Sequence, residues 1–128
     1  AYFKREIHDA MIFAKSLKDK GYEVFLQAMA TFMYSDDEIE DMLKKINDLK
    51  PQAFYIVDSF SNLFPEDITS MANSVLSRLN RDIDFGFHAH NNIQMAFANA
   101  IAFMNVEDGR KIYIDGSIYG MGRGAGLS

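Results

Sequence analysis

The sequence predicts an α/β fold built from parallel β/α units. Three observations lead there. Short apolar runs alternate with segments of helical periodicity, the alternation recurs about every 30 residues, and the runs are apolar almost throughout instead of at every second position. Parallel strands need helical crossovers of about that length, and a sheet covered by helices on both faces reads as nearly continuous apolar strands.

The elements follow in order. From Phe3 to Lys18, the residues Ile7, Met11, Ala14 and Leu17 recur at helical spacing, and Gly21 is a natural stop. The run "YEVFLQAMA", containing Val24, Phe25 and Leu26, reads as a buried strand. Ser35 and Glu38 then form a capping box ahead of Ile39, Met42, Leu43, Ile46 and Leu49, and that helix ends before Pro51. "AFYIVDSF" is the second strand. Pro65 sits in a first turn and leads into Ile68, Met71, Ala72, Val75, Leu76 and Leu79. "IDFGFHAH" is the third strand, followed by a helix from about Asn92 to Met104. "KIYIDGSI" is the fourth, and "GMGRGAG" is a glycine-rich loop.

Two architectures fit this order. One is an open doubly wound sheet, complete in itself. The other is an arc of a TIM (β/α)8 barrel, which takes roughly 250 residues, so that four strands and four helices make about half of it. In both, function belongs at the carboxyl ends of the strands. The chain opens at Ala1 directly in a helical pattern and stops after the glycine-rich loop. The expectation is therefore that residues 1–128 are one domain belonging to a longer chain, with both architectures open at this point.

Composition narrows the function classes. The 128 residues are 48% hydrophobic, 13% aromatic and 24% charged, which fits one globular domain. A net charge of −5 argues against a nucleic-acid surface, which would need clustered Lys and Arg. The acidic stretches "SDDEIED" and "PEDI" suit helix first turns, where negative charge complements the dipole. Without cysteine there is neither a disulfide framework nor a thiolate metal site. No apolar run approaches the roughly 20 residues that span a bilayer, and no basic-then-apolar signal opens the chain. The expectation is a soluble protein with no membrane or nucleic-acid partner, and a cytoplasmic location agrees with the lack of cysteine.

The candidate chemistry lies at the strand ends. In "DFGFHAH", Phe85, Phe87 and Ala89 share one face, and Gly86, His88 and His90 share the other. The Phe face suits packing under helices, so the His face points into a barrel interior or crevice. Two imidazoles side by side can each give one nitrogen to a metal ion, and this pair is the metal-ligating candidate. The bland alternative is two histidines satisfied by hydrogen bonds. His8, in the first helical pattern, reads as a surface residue. Asp58 shares a face with Phe54 and Ile56 and is either a metal ligand, a hydrogen-bond partner for a His or a substrate contact, or else a cap on the turn-rich "DSFSN". Asp115, in "YIDGS", is a weaker case of the same kind, and Gln27 a polar wall of the same site. The loop from Gly120 to Gly126 can bring backbone amides close to an anion, with Arg123 adding charge. No helix pattern follows it, so it is neither a P-loop nor a dinucleotide fingerprint.

Three pieces, "YIVDSF", "GFHAHNNIQMAFANAIA" and "IDGSIYGMGRGAG", resemble the metal-dependent aldolases and lyases on a (β/α)8 barrel, the group of 4-hydroxy-2-oxovalerate aldolase, 3-hydroxy-3-methylglutaryl-CoA lyase and the isopropylmalate synthases. The order and approximate spacing match from about Tyr22 to Gly126, most closely to the 4-hydroxy-2-oxovalerate aldolases. The resemblance implies that the strands here are the barrel's fourth to seventh, and that His88 and His90 ligate a divalent ion, Mn²⁺ or Mg²⁺. On that reading residues 1–128 are a single partial barrel domain, with Asp58 in the wall of the catalytic site and Gly120, Gly122, Arg123 and Gly124 on the substrate side. The implied activity makes or cleaves a C–C bond next to the carbonyl of a small 2-oxo acid, the ion gripping the acid or its enolate.

Two departures stand out. The family's other carboxylate ligand, an Asp beside an Arg after the first strand, has no counterpart here, and Leu127 stands where members often carry a metal-touching Asn. The resemblance therefore implies an active parent enzyme and little or no turnover by this chain alone. Two other readings compete. A metal-dependent hydrolase also uses a His-x-His pair, with the ion activating water, but it wants further ligands than Asp58 and Asp115. A non-catalytic half-barrel would self-associate into a homo-oligomer through its open edges.

Overall fold

The computed structural model describes residues 1–106 and 108–116 of the chain. The four apolar runs are strands: β1 (Phe25–Ala28), β2 (Ala53–Asp58), β3 (Asp84–Ala89) and β4 (Ile112–Ile114). They form one sheet in the order β1-β2-β3-β4, every neighbouring pair parallel. Each crossover carries a helix. α1 (Ile7–Asp19) precedes β1, α2 (Asp36–Leu49) leads to β2, α3 (Pro65–Leu76) to β3, and α4 (Ala96–Met104) to β4. The alternation expected from the sequence is thus present, with sequential strands as spatial neighbours.

Local signals set the ends of these elements. Ser35 Oγ accepts a hydrogen bond from the Glu38 backbone N–H at 3.3 Å, while Glu38 Oε2 accepts one from Ser35 N–H at 2.9 Å. This reciprocal box satisfies two N–H groups that have no partner inside α2. At its other end Lys50 takes a left-handed conformation (φ 50°) just before Pro51, whose ring cannot continue the helix. Pro65 is the first residue of α3, where a missing N–H costs nothing.

Two boundaries differ from expectation. α3 stops at Leu76, and residues 77–79 form a turn. α4 begins at Ala96, not near Asn92: Gln94 adopts a left-handed φ of 63°, and Asn91 Oδ1 accepts the Ala96 N–H at 3.0 Å. Asn91 is thus the side chain that opens the helix, and the intervening residues turn the chain away from the site.

The core lies between the sheet and the helices. Phe54, Ile56, Phe85 and Phe87 project from the strands against Ile68, Ala72 and Val75 of α3 and Phe103 of α4, all essentially buried. Phe103 packs on Phe85 and Phe87, with ring centroids 4.9 and 5.4 Å away. At the β1 edge, Tyr2 makes a parallel bridge to Ala28: Tyr2 N–H donates to Gln27 O at 3.0 Å, and Met29 N–H donates to Tyr2 O at 2.9 Å. Among the described residues no helix is long and apolar enough to cross a membrane.

Candidate functional site

The sheet face away from the helices holds the chemistry. Parallel register sets Gln27, Tyr55, Gly86 and Tyr113 in one row across the four strands. One step towards the carboxyl ends, Val57 pairs with His88, and Asp115 follows β4 with its N–H donating to Phe87 O at 3.1 Å. The faces of β3 expected from alternation are realised: Phe85, Phe87 and Ala89 are buried, whereas His88 and His90 are only partly so.

The first row forms an aromatic floor. Tyr55 stacks with Tyr113 at 6.3 Å between centroids and 27° between planes, and Phe25 meets Tyr113 edge-on at 5.3 Å. Tyr55 can lie there because residue 86 is glycine. A Cβ at that position would stand 2.5 Å from three carbons of the Tyr55 ring. This is a close approach that only a residue without a side chain permits. The Tyr55 phenol is pushed up to about 12, first by burial and then by the negative charge of Asp115 beside it.

Above the floor is a hydrogen-bonded chain. His88 Nδ1 lies 2.9 Å from Asp115 Oδ2, and Gln27 Nε2 donates to the same oxygen at 2.8 Å. Gln27 and Asp115 belong to the first strand and to the end of the fourth. In a flat sheet three strand spacings would separate them, about 14 Å. Their contact is a chord across an inwardly curved sheet, as an arc of a barrel requires.

His90 follows β3 directly, its ring centroid 5.1 Å from that of His88, with the planes at 75°. Its Nδ1 is buried with no hydrogen-bond partner among the described residues. A buried imidazole nitrogen without a partner is costly and suits a ligand role. The two rings are near enough to share one ion, and His88 has one nitrogen already engaged. The donor set therefore fits a divalent cation on the chain's own terms. Among the described residues no third His, Cys, Asp or Glu completes a ligand cluster.

Asp58 is placed differently from the two histidines. In register it faces Ala89, on the helix side of the sheet, while Val57 faces His88. It is buried, and its Oδ1 accepts the Asn62 backbone N–H at 3.2 Å, the turn-capping geometry that "DSFSN" suggested. Burial raises its carboxyl above the ordinary carboxylate range, opposed by the amides of Asn62, Leu63 and Ser61 and by nearby His90. Its Oδ2 is buried without a partner among the described residues. The loops after β1 and β2 are tied where Ala30 N–H donates to Ser59 Oγ at 2.8 Å, and from α4 buried Asn99 Nδ2 donates to Leu63 O at 2.8 Å.

His8 is exposed on α1, as read from the sequence. Gly120, Gly122, Arg123, Gly124 and Leu127 lie outside the described residues. Tyr55 was not singled out from the sequence, although a cue existed: it alternates with Phe54 and Ile56, so it belongs to the face opposite the core. Gln27 and Asp115, minor candidates in the sequence, are the residues the structure joins to His88.

Comparison with known proteins agrees with this geometry. The profile of the family described as HMGL-like matches residues 2–128. An oxaloacetate decarboxylase of Mycobacterium tuberculosis is 31% identical over 121 residues, which are 94% of this chain and 34% of that protein. A 4-hydroxy-2-oxovalerate aldolase of Spirochaeta aurantia is 38% identical over 109 residues, 85% of this chain and 30% of that protein. The chain spans about a third of the length of these relatives. Among solved structures, the N-terminal domain of an aldolase candidate from Bacteroides vulgatus superposes with a TM-score of 0.84 at 29% identity, over 99% of this chain and 41% of that one. The HMG-CoA lyase of Bacillus subtilis superposes at 0.78 with 13% identity, over 94% and 43%, a likeness of fold alone. The four β/α units are accordingly about half of a (β/α)8 barrel, and this chain belongs to the HMGL-like family.

Proposed function

We propose that the protein carrying this chain is a divalent-metal-dependent lyase of the aldolase kind, acting on a small 2-oxo acid. The observation that carries the reading is the pair His88 and His90 at the carboxyl end of β3, with His88 Nδ1 held 2.9 Å from Asp115. The relatives named 4-hydroxy-2-oxovalerate aldolase and oxaloacetate decarboxylase support it. The molecules in those names share a ketone at C2, and their cleavage chemistry is the same. The C3–C4 bond breaks, its electron pair moves into the ketone to give the enolate of pyruvate, and C3 then takes a proton. The departing fragment is an aldehyde in one case, its C4 hydroxyl proton passing to a base as the bond breaks, and carbon dioxide in the other.

Mn²⁺ or Mg²⁺, held by His88 and His90, would supply a Lewis acid for the C2 oxygen, where negative charge develops. The protein's own groups do the rest. His88 and His90 give neutral nitrogen donors, and Asp115 orients His88 and adds negative charge behind it. Tyr55 and Tyr113 close the floor and exclude water from that side. Asp58 holds the loop at residues 59–62 against the His90 side of the site. The Gly120 to Gly126 loop, through the amides of Gly120, Gly122 and Gly124 and the charge of Arg123, is assigned to the substrate carboxylate.

The test uses the full-length protein with 4-hydroxy-2-oxovalerate and with oxaloacetate, following pyruvate release with Mn²⁺, with Mg²⁺ and after treatment with EDTA. Release that needs the metal and falls by at least ~100-fold in the His88→Ala, His90→Ala variant is the expected result, since ligand loss should exceed the ~10–100-fold effect of outer partners. Release indifferent to chelation, or hydrolysis of esters or amides in its place, would overturn the assignment.

A further inference from the structure

We propose that Asp115 is a positioning residue that fixes which nitrogen His88 offers, and that Gln27 and Tyr55 hold Asp115 in place for that task. The proposal rests on the metal reading above only for what the offered nitrogen receives. A neutral imidazole has one N–H and one lone pair, and either ring nitrogen can carry the proton. An ionised carboxylate only accepts. The 2.9 Å contact between His88 Nδ1 and Asp115 Oδ2 therefore places the proton on Nδ1 and leaves the lone pair on Nε2. Without such a partner an imidazole is free to adopt the other tautomer and bury its lone pair at the wrong end.

Asp115 follows a three-residue strand and is only partly buried, so its own backbone does little to fix its carboxylate. The structure adds two restraints. From β1, Gln27 Nε2 donates at 2.8 Å to the oxygen that His88 uses. From β2, Tyr55 brings its phenol beside the same carboxylate, a position open to it only because Gly86 lets the ring lie across β3. Every strand thus gives one residue: Gln27, Tyr55, His88 and Asp115. Gln27 donates to this oxygen and the Tyr55 phenol stands beside the carboxylate, so the acceptor-only character of Asp115 suits its surroundings. A surface counter-charge for a protonated histidine would need neither of them.

The test reads the tautomer directly. The full-length protein, labelled with ¹⁵N-histidine and free of metal, is studied well above the usual histidine pKa of ~6.5. His88 should appear as the Nδ1–H form. Asp115→Ala should move it towards Nε2–H, while Asp115→Asn, whose carboxamide oxygen still accepts from His88 and Gln27, should retain Nδ1–H. In Mn²⁺ titrations Asp115→Ala should weaken binding ~10–100-fold with an unchanged circular dichroism spectrum. Adding Asp115→Ala to His88→Ala should cost no further affinity, because the aspartate acts only through that ring. An Nε2–H signal in the parent protein, or a tautomer indifferent to Asp115→Ala, overturns the proposal. If Mn²⁺ binding instead survives intact in the His88→Ala, His90→Ala variant, the metal reading falls by itself, and the tautomer spectrum still decides the role of Asp115.

Discussion

Replacing Gly86 with alanine should destabilise the protein through a single contact. The new Cβ would meet Cε1, Cε2 and Cζ of Tyr55 at 2.5 Å, against the ~3.5–4.0 Å at which carbon atoms rest. The ring must withdraw by roughly 1 Å. It is 4% exposed, stacked on Tyr113 at 6.3 Å and set edge-on to Phe25 at 6.5 Å, so it cannot withdraw without disturbing both neighbours. Overpacking of this kind costs ~1–3 kcal/mol. Alanine is intrinsically better than glycine inside a strand by ~0.5–1 kcal/mol, which offsets part of that. A net loss of about 1–2 kcal/mol remains. It should be read from urea unfolding followed by circular dichroism or tyrosine fluorescence, since the chain has no tryptophan. The discriminating partner is Tyr55→Leu, which removes the ring. In that background Gly86→Ala should be neutral or stabilising by up to ~1 kcal/mol, a coupling of ~0.5–3 kcal/mol between the two sites. An unshifted midpoint for Gly86→Ala, or a penalty that persists with Tyr55→Leu, would refute the reasoning.

Two further outcomes follow from the core and from a partly buried ion pair. Phe103→Ala should cost ~3–5 kcal/mol in the same unfolding assay, because the ring is 1% exposed and wedged against Phe85 and Phe87; a loss below ~1 kcal/mol would mean the space collapses. The Asp108 carboxyl is held below its ordinary value of 3.8: partial burial opposes this, and the hydrogen bonds and charge of Arg110 outweigh it. Because the folded-state value is depressed, its stabilisation is fully present above 3.8 and lost as pH falls through the folded value. The stability gap between the parent and Asp108→Asn should therefore be open at neutral pH and close in acid, and a gap independent of pH would contradict the pairing.

Much of the architecture was legible in the sequence because the relevant signals are local. The Ser35–Glu38 box, Pro65 and the alternation through "DFGFHAH" each act over a few residues, and each is realised. The start of α4 was not legible, since Asn92 is as good a helix opener by type as Asn91, and only the left-handed turn at Gln94 decides between them. The placement of Asp58 was partly legible. Counting by twos put it with Phe54 and Ile56, which face the helices, yet at the strand end its carboxylate stands near His90. The partnership of Gln27, Asp115 and His88 could not be read from one chain. It depends on register carried across three strand pairings, and no residue type announces it.

The side-chain chord between Gln27 and Asp115 spans 88 positions along the chain, whereas strand pairing joins each β/α unit only to the next. The sheet can be built stepwise from its amino end, with every step a modest loop closure. The chord joins β1 to the end of β4, as the edge-on contact of Phe25 with Tyr113 does, and both wait until β4 is in place. A chain in which β4 has not yet docked carries both histidines and most of the hydrophobic core, but His88 has no fixed proton. The reverse holds on opening. β4 is only three residues long and half-buried throughout, so its release would disarm the site while β1 to β3 and their helices remain packed. A ligand that requires the ordered histidine would then act as a staple on β4, adding its binding energy to the docking of that strand.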